Sequence, residues 1–178
     1  MAILKRAGYI SAKPKVGYYY SQNHDNANSI SNPKAEAGKC FSRMLVHDWM
    51  GVPSVIPPTV SAFDASAELF MRDVGSLFIS SEAEGLIGVV SRKDLLRIAI
   101  SGSDMKTIPI TMVMSRTPNL VFIYDNESLF HAAKLMKMHE IDSLPVVERC
   151  ETEGKHILKV IGRITKTTIV KALVSLGE

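Results

Sequence analysis

One pattern occurs twice in this chain, and that repetition constrains the fold more than any bulk property. The first copy runs Val60, then Ser61-Ala-Phe-Asp-Ala-Ser-Ala-Glu-Leu-Phe-Met-Arg-Asp73, then Val74-Gly-Ser-Leu77. The second runs Asp125-Asn-Glu-Ser-Leu-Phe-His-Ala-Ala-Lys-Leu-Met-Lys-Met-His-Glu140, then Ile141-Asp-Ser-Leu144. At a shift of 67, Ser61 meets Ser128, Phe63 meets Phe130, Ala65 meets Ala132, Leu69 meets Met136 and Leu77 meets Leu144. Phe63, Ala67, Phe70 and Met71 recur at helical spacing, as do Leu129, Ala132, Leu135 and Met136, so each helix is expected to bury that face. Ser61 and Asn126 are the expected N-caps.

A strand pair is predicted after each helix. Ser76–Ser80 leads through Ser81–Gly85 to Leu86–Val90, and Leu144–Val147 leads through a longer, charged loop to Ile157–Ile164. Second apolar helices follow at Leu95–Ile100 and Ile169–Leu176, now at a shift of 74 because the second hairpin is longer. Hairpin length is the feature tandem copies vary most freely. Each copy thus reads strand, helix, strand, strand, helix. Neither is large enough for a good core of its own, so the two are expected to pack as one body.

Each hairpin ends in the same way, as Gly88-Val-Val-Ser91-Arg-Lys-Asp94 and as Gly162-Arg-Ile-Thr165-Lys-Thr-Thr168. Two functions fit a hydroxyl residue between a strand and a helix. Ser-x-x-Asp before an apolar run is a capping-box variant, satisfying helix-end donors. The same mouth also suits a nucleotide: helix-end N–H groups favour phosphate, Ser91 and Thr165 add a hydroxyl, Lys93 and Lys166 add charge, and Asp94 accepts from a ribose diol. Recurrence at the same place in both copies favours a site.

Composition excludes several classes. No apolar run approaches the roughly 18 residues of a membrane span, and Met1-Ala-Ile-Leu meets Lys5-Arg6 at once, unlike a signal peptide. No membrane partner is expected. Cys40 and Cys150 form no motif, which fits reduced thiols in the cytoplasm. His47, His131 and His139 lack the spacing of a metal or acid–base site, and no nucleophile–base constellation is present, so neither a metal, nor a catalytic cofactor, nor an enzyme is expected. The formal charge of +3 is uneven: Lys5, Arg6, Lys13 and Lys15, with no acid, give residues 1–21 a charge of +4, and the other 17 basic residues meet 18 acidic ones. A basic N-terminal end on a near-neutral body fits a polyanion partner.

The repeat resembles a pair of CBS domains, a tandem (Bateman) module of regulatory proteins. The matching residues are Met50 and Met114, the D-V-G-S-L-F-I run at 73–79, the H-E-I-D-S-L-P-V-V run at 139–147, and both Gly-to-helix ends. The resemblance implies an α+β fold of two β-α-β-β-α repeats, at 45–103 and 104–178, and an adenine nucleotide (ADP, ATP or AMP) as regulatory ligand in the cleft between copies. Carried over by position, one site would use Ser91, Lys93 and Asp94 with Asn119, Leu120, Val121, Ile141, Asp142 and Pro145. The other would use Thr165, Lys166 and Thr168 with Ser54, Val55, Ile56, Val74 and Gly75. Thr168 departs from the family's Asp. A threonine cannot chelate a diol as a carboxylate does, so the first site is expected to be stronger and the second weaker or phosphate-directed. CBS pairs also imply a homodimer through the helices at 95–100 and 169–176.

Residues 1–21 read as the end of a helix stopped by Gly8, then a hairpin with Lys13-Pro14-Lys15 at its tip. Residues 22–44 read as a linker with a short helix near its end. Together with the A-I-L-x-x-A-G-Y-I start and the I-G-R-I-T-K-T stretch at 161–167, the whole resembles the CcpN-type family of control catabolite repressors. Such a chain would be a ligand-sensing transcriptional repressor of carbon-metabolism (gluconeogenic) genes. Family members carry two further helices, and the start of the recognition helix, ahead of the part matching Met1. The 1–21 stretch is therefore expected to be a partial winged helix-turn-helix, with DNA a partner where those helices are present and Lys13 and Lys15 touching phosphate. The alternative is a DNA-independent CBS module that regulates a partner enzyme.

Overall fold

The two copies become the two halves of one six-stranded sheet. The computed structural model describes residues 40–152 and 154–176; the expected hairpin at 1–21, with Lys13 and Lys15, and the linker up to residue 39 lie outside the described residues. In chain order come α1 (Val46–Trp49), β1 (Val55–Ile56), α2 (Ala62–Met71), β2 (Ser76–Ser81), β3 (Gly85–Ser91) and α3 (Arg92–Ile100). A 3-10 turn (Ile110–Met112) leads to β4 (Ile123–Tyr124), α4 (Leu129–His139), β5 (Ser143–Thr152), β6 (Lys155–Thr165) and α5 (Lys166–Ser175). The architecture is α+β, with sheet order β1-β2-β3-β6-β5-β4. β2 and β3 are antiparallel, as are β5 and β6, and the halves meet where β3 runs parallel to β6 at Gly85 and Leu158.

Strand alternation sorts the side chains into three cores. Leu77 and Ile79 of β2 face the first pair of helices, where Ala62, Ala65, Leu69 and Leu95 are buried. Leu144, Val146 and Ile164 face the second pair, against Leu129, Ala132, Met136, Ile169 and Ala172. Phe78 and Val147 point the other way and meet, with Leu86, in a middle cluster flanked by Val89, Phe122, Tyr124, Leu158 and Val160. Burying each such side chain contributes about 1.5–3 kcal/mol, so the middle cluster binds half to half.

The segment leading into each half builds the other half. Val46 and Phe41 sit in the second core, and Ile110 and Met114 in the first. Gly51 and Arg163 exchange two backbone hydrogen bonds, both 2.9 Å, and Ser115 and Val89 do the same at 2.8 and 2.9 Å. Met50 fills the space over Gly162, and Met114 the space over Gly88: a Cβ added at either glycine would lie 2.5 Å from a methionine Sδ. Each glycine faces the strand position just before a register shift, at Ile79 and Val146. The glycines of the repeated motif therefore admit a methionine from the other half's lead-in.

Three local expectations are corrected. The buried stripe of α2 is Ala62, Ala65 and Leu69, whereas Phe63, Phe70 and Met71 are 48%, 83% and 78% exposed. Both stripes have helical spacing, and the small alanines let the helix lie close to the sheet. The same three positions are buried in both halves, Ala62, Ala65 and Leu69 matching Leu129, Ala132 and Met136. The cap of α4 is Ser128, not Asn126: Ser128 Oγ accepts from His131 N at 3.1 Å, as Ser61 Oγ accepts from Asp64 N at 3.1 Å. Nor is the second hairpin joined by a long loop. Its strands stay paired as far as Thr152 and Lys155, because alternating charges tolerate an extended, solvated ladder; Glu148 and Lys159 face each other as an ion pair at 3.2 Å.

Candidate functional site

The two strand-to-helix mouths fold alike and are capped alike. Asp94 Oδ2 accepts from Ser91 N at 2.9 Å and from Ser91 Oγ at 2.6 Å. Thr168 N donates to Thr165 Oγ1 at 3.2 Å, and the two hydroxyls lie 3.1 Å apart. Both motifs are thus capping boxes at the starts of α3 and α5. Capping and ligand contact do not exclude each other, because all four residues remain half-buried and keep a face to solvent.

A cavity of about 680 Å³ opens at the Thr168 mouth. Val74, Gly75, Thr165, Lys166 and Thr168 from the expected second site line it, and so does Asp142, which the family pattern assigned to the first. Its walls come from both halves: 73–76 precede and start β2, 142–143 and 163–168 belong to the second half, and Trp49 and Gly51 come from the lead-in segment. Lys166 reaches Asp142 Oδ1 at 2.5 Å, an exposed pair worth at most about 1 kcal/mol. Ser54 is buried beside the cavity and its Oγ accepts from Arg163 Nη1 at 3.3 Å. Val55 and Ile56 line a separate open groove of about 590 Å³ with Pro57 and residues 80–83.

The residues assigned to the Asp94 side are spread over several environments. Asn119 is exposed, with its N–H donating to Arg116 O at 2.8 Å. Val121 and Ile141 pack on the second core and Leu120 on the middle cluster. Pro145 is buried in β5 opposite Arg163, and Lys93 is exposed. Arg163, Lys171 and Trp49 of the Thr168 cavity escaped the sequence reasoning. Arg163 had a signal, since it is a charge at the position the apolar Val89 holds in the first copy.

Among the described residues, no three His, Cys, Asp or Glu side chains gather as a metal site, and no helix is long and apolar enough to cross a membrane. Cys40 and Cys150 are free thiols.

Two matched halves, exchanged lead-ins and paired capping-box mouths define a tandem regulatory module of known type. The CBS domain model matches residues 46–101 and 110–175, and the chain belongs to the CBS-domain family. It is 36% identical to the transcriptional repressor CcpN of Bacillus subtilis (strain 168), over all 178 residues and 78% of that protein. Solved structures share the fold. The CBS domain pair of protein MJ0100, in complex with methylthioadenosine and S-adenosyl-L-methionine, is 21% identical with a TM-score of 0.61, covering 74% of this chain and 97% of that one. CBSX2 in complex with AMP is 28% identical with a TM-score of 0.59, covering 76% of this chain and 99% of that one.

Proposed function

We propose that the paired repeat is a sensor in a cytoplasmic transcriptional regulator, in which an adenine nucleotide in the clefts changes repression of carbon-metabolism (gluconeogenic) genes. The observation that carries this is that one cavity is walled by both halves and by the lead-in segment together. A ligand there has an affinity that depends on how those three parts sit, which is the condition for linkage between ligand and conformation. The identity with CcpN supports the transcriptional part, and the AMP complex of CBSX2 supports the nucleotide part. Ser91, Lys93 and Asp94 serve one cleft, and Thr165, Lys166 and Thr168 the other. Lys13 and Lys15 contact DNA phosphate where the helices completing a winged helix precede them. The chain works as a homodimer through the outer helix faces.

Isothermal titration with AMP, ADP and ATP tests this. At least one nucleotide binds the wild-type chain, and Asp94→Asn, which preserves a cap, weakens the tighter site by about ten- to a hundredfold, the worth of a hydrogen bond to a charged group. A chain that binds none of the three sinks nucleotide sensing. Unchanged binding in Asp94→Asn removes Asp94 from the site.

A further inference from the structure

The two clefts differ in charge at matched positions. Arg163 and Thr168 stand where the first half has Val89 and Asp94. Those two positions together carry +1 on one side and −1 on the other. Two carboxylates also line the Thr168 cavity, Asp73 and Asp142, and each is held by a cation, Asp73 by Arg92 and Asp142 by Lys166, so neither cancels Arg163. In the first half Arg92 meets Asp73 at 3.3 Å, and Arg97 meets Asp94 at 3.6 Å. In the second, Lys166 meets Asp142, but Lys171, which matches Arg97, has Thr168 three residues back where Arg97 has Asp94. Among the described residues neither Arg163 nor Lys171 has a carboxylate partner. Both line the 680 Å³ cavity.

Arg163 is also held in place. Its backbone is bonded in both directions to Gly51, and its guanidinium is donated to the buried Ser54. A half-buried guanidinium with one neutral acceptor and spare donors suits a phosphate, whose oxygens take a planar fork better than a hydroxyl does.

We infer that the Thr168 cleft reads the phosphate chain of its nucleotide, that it takes di- and triphosphates over monophosphates, and that Arg163 is the specificity-determining residue. This rests on the nucleotide reading proposed above. The Asp94 side, whose carboxylate suits a ribose diol, is left to the nucleoside end of a ligand.

The test titrates the full chain with adenosine, AMP, ADP, ATP and inorganic triphosphate, as wild type, Arg163→Val and Arg163→Lys. Valine is the residue the first half carries at this place in the same strand. Wild type binds more tightly at one site with each added phosphate. Arg163→Val loses about ten- to a hundredfold for ATP, less than about threefold for adenosine, and Arg163→Lys recovers part of the loss. Thermal midpoints of the three unliganded chains check that they fold alike.

Equal losses for adenosine and ATP, or no loss for ATP, overturn the assignment of Arg163 while nucleotide sensing stands. Tight, Arg163-dependent binding of inorganic triphosphate with no nucleotide bound would instead overturn nucleotide sensing and keep the phosphate role. A wild-type chain that binds none of the five probes overturns both.

Discussion

Replacing Gly85 by alanine strains the joint between the two halves, and the structure sets the size of the effect. Gly85 has φ +68° and is the residue at which β3 meets β6. A Cβ there would lie 2.4 Å from the Leu158 carbonyl oxygen and 2.9 Å from its carbon, so backbone must move. Left-handed backbone costs an alanine about 1–2 kcal/mol, and forcing an atom into filled space adds about 1–3 kcal/mol. The stiffer unfolded chain returns about 0.4–1 kcal/mol. Gly85→Ala is therefore expected to destabilise by about 2–4 kcal/mol. Gly102 is the control. Its φ is +73°, but nothing lies within 4 Å of its Cβ position, so only the backbone cost applies, about 1 kcal/mol after the unfolded-state gain. Urea unfolding followed by the fluorescence of Trp49, the sole tryptophan, reads both changes. Equal destabilisation in Gly85→Ala and Gly102→Ala would refute the claim that the halves are joined by close backbone contact at Leu158.

Two further outcomes follow from the same packing. Gly88→Ala is expected to cost about 2–4 kcal/mol and Gly162→Ala only about 1–2 kcal/mol. At Gly88 the added Cβ meets the Ser115 carbonyl at 2.9 Å besides Met114, whereas at Gly162 it meets only the flexible Met50 side chain; thermal unfolding of the two variants, with the order reversed, would count against the methionine fit. For the proposed homodimer, Leu96 and Ile100 on α3 are 60% and 78% exposed, and Val170 and Leu173 on α5 are 57% and 48% exposed. Light scattering is expected to give a dimer for wild type and a monomer for a Leu96→Glu, Leu173→Glu double variant. A monomeric wild type removes the dimer.

Much of this fold was legible because a repeat supplies its own alignment. The order of elements, the caps at Ser61, Ser91 and Thr165, and the stripe Leu129, Ala132 and Met136 all follow from spacing and turn chemistry. The wrong stripe on α2 was avoidable. Shifting the α4 stripe back by 67 lands on Ala62, Ala65 and Leu69, while hydrophobicity alone favours the larger Phe63 and Phe70. Two alanines against a sheet bury little area each but allow close approach, and the aromatic side is left outside. The exchange of lead-in segments was not legible. Spacing marks Met50 and Met114 as equivalent, but both halves offer the same glycine, and only chain path decides which methionine fills which.

That exchange separates what the copies share from what they do not. Val46 and Ile110, Met50 and Met114, Leu77 and Leu144, and Gly88 and Gly162 keep their character, and each is a packing contact. Gly75 and Asp142, Val89 and Arg163, and Asp94 and Thr168 change charge or polarity; Gly75, Asp142, Arg163 and Thr168 line the cavity, and Asp94 lies in the first turn of α3. The changes at the strand-to-helix ends leave two different polar environments on one frame of shared packing contacts. The lead-in from Trp49 to Gly51 borders the cationic mouth and is bonded to Arg163 itself. The phosphate proposed for Arg163 would compete with Ser54 for the guanidinium, and the lead-in bonded to Arg163 is the part of the wall that would feel the competition.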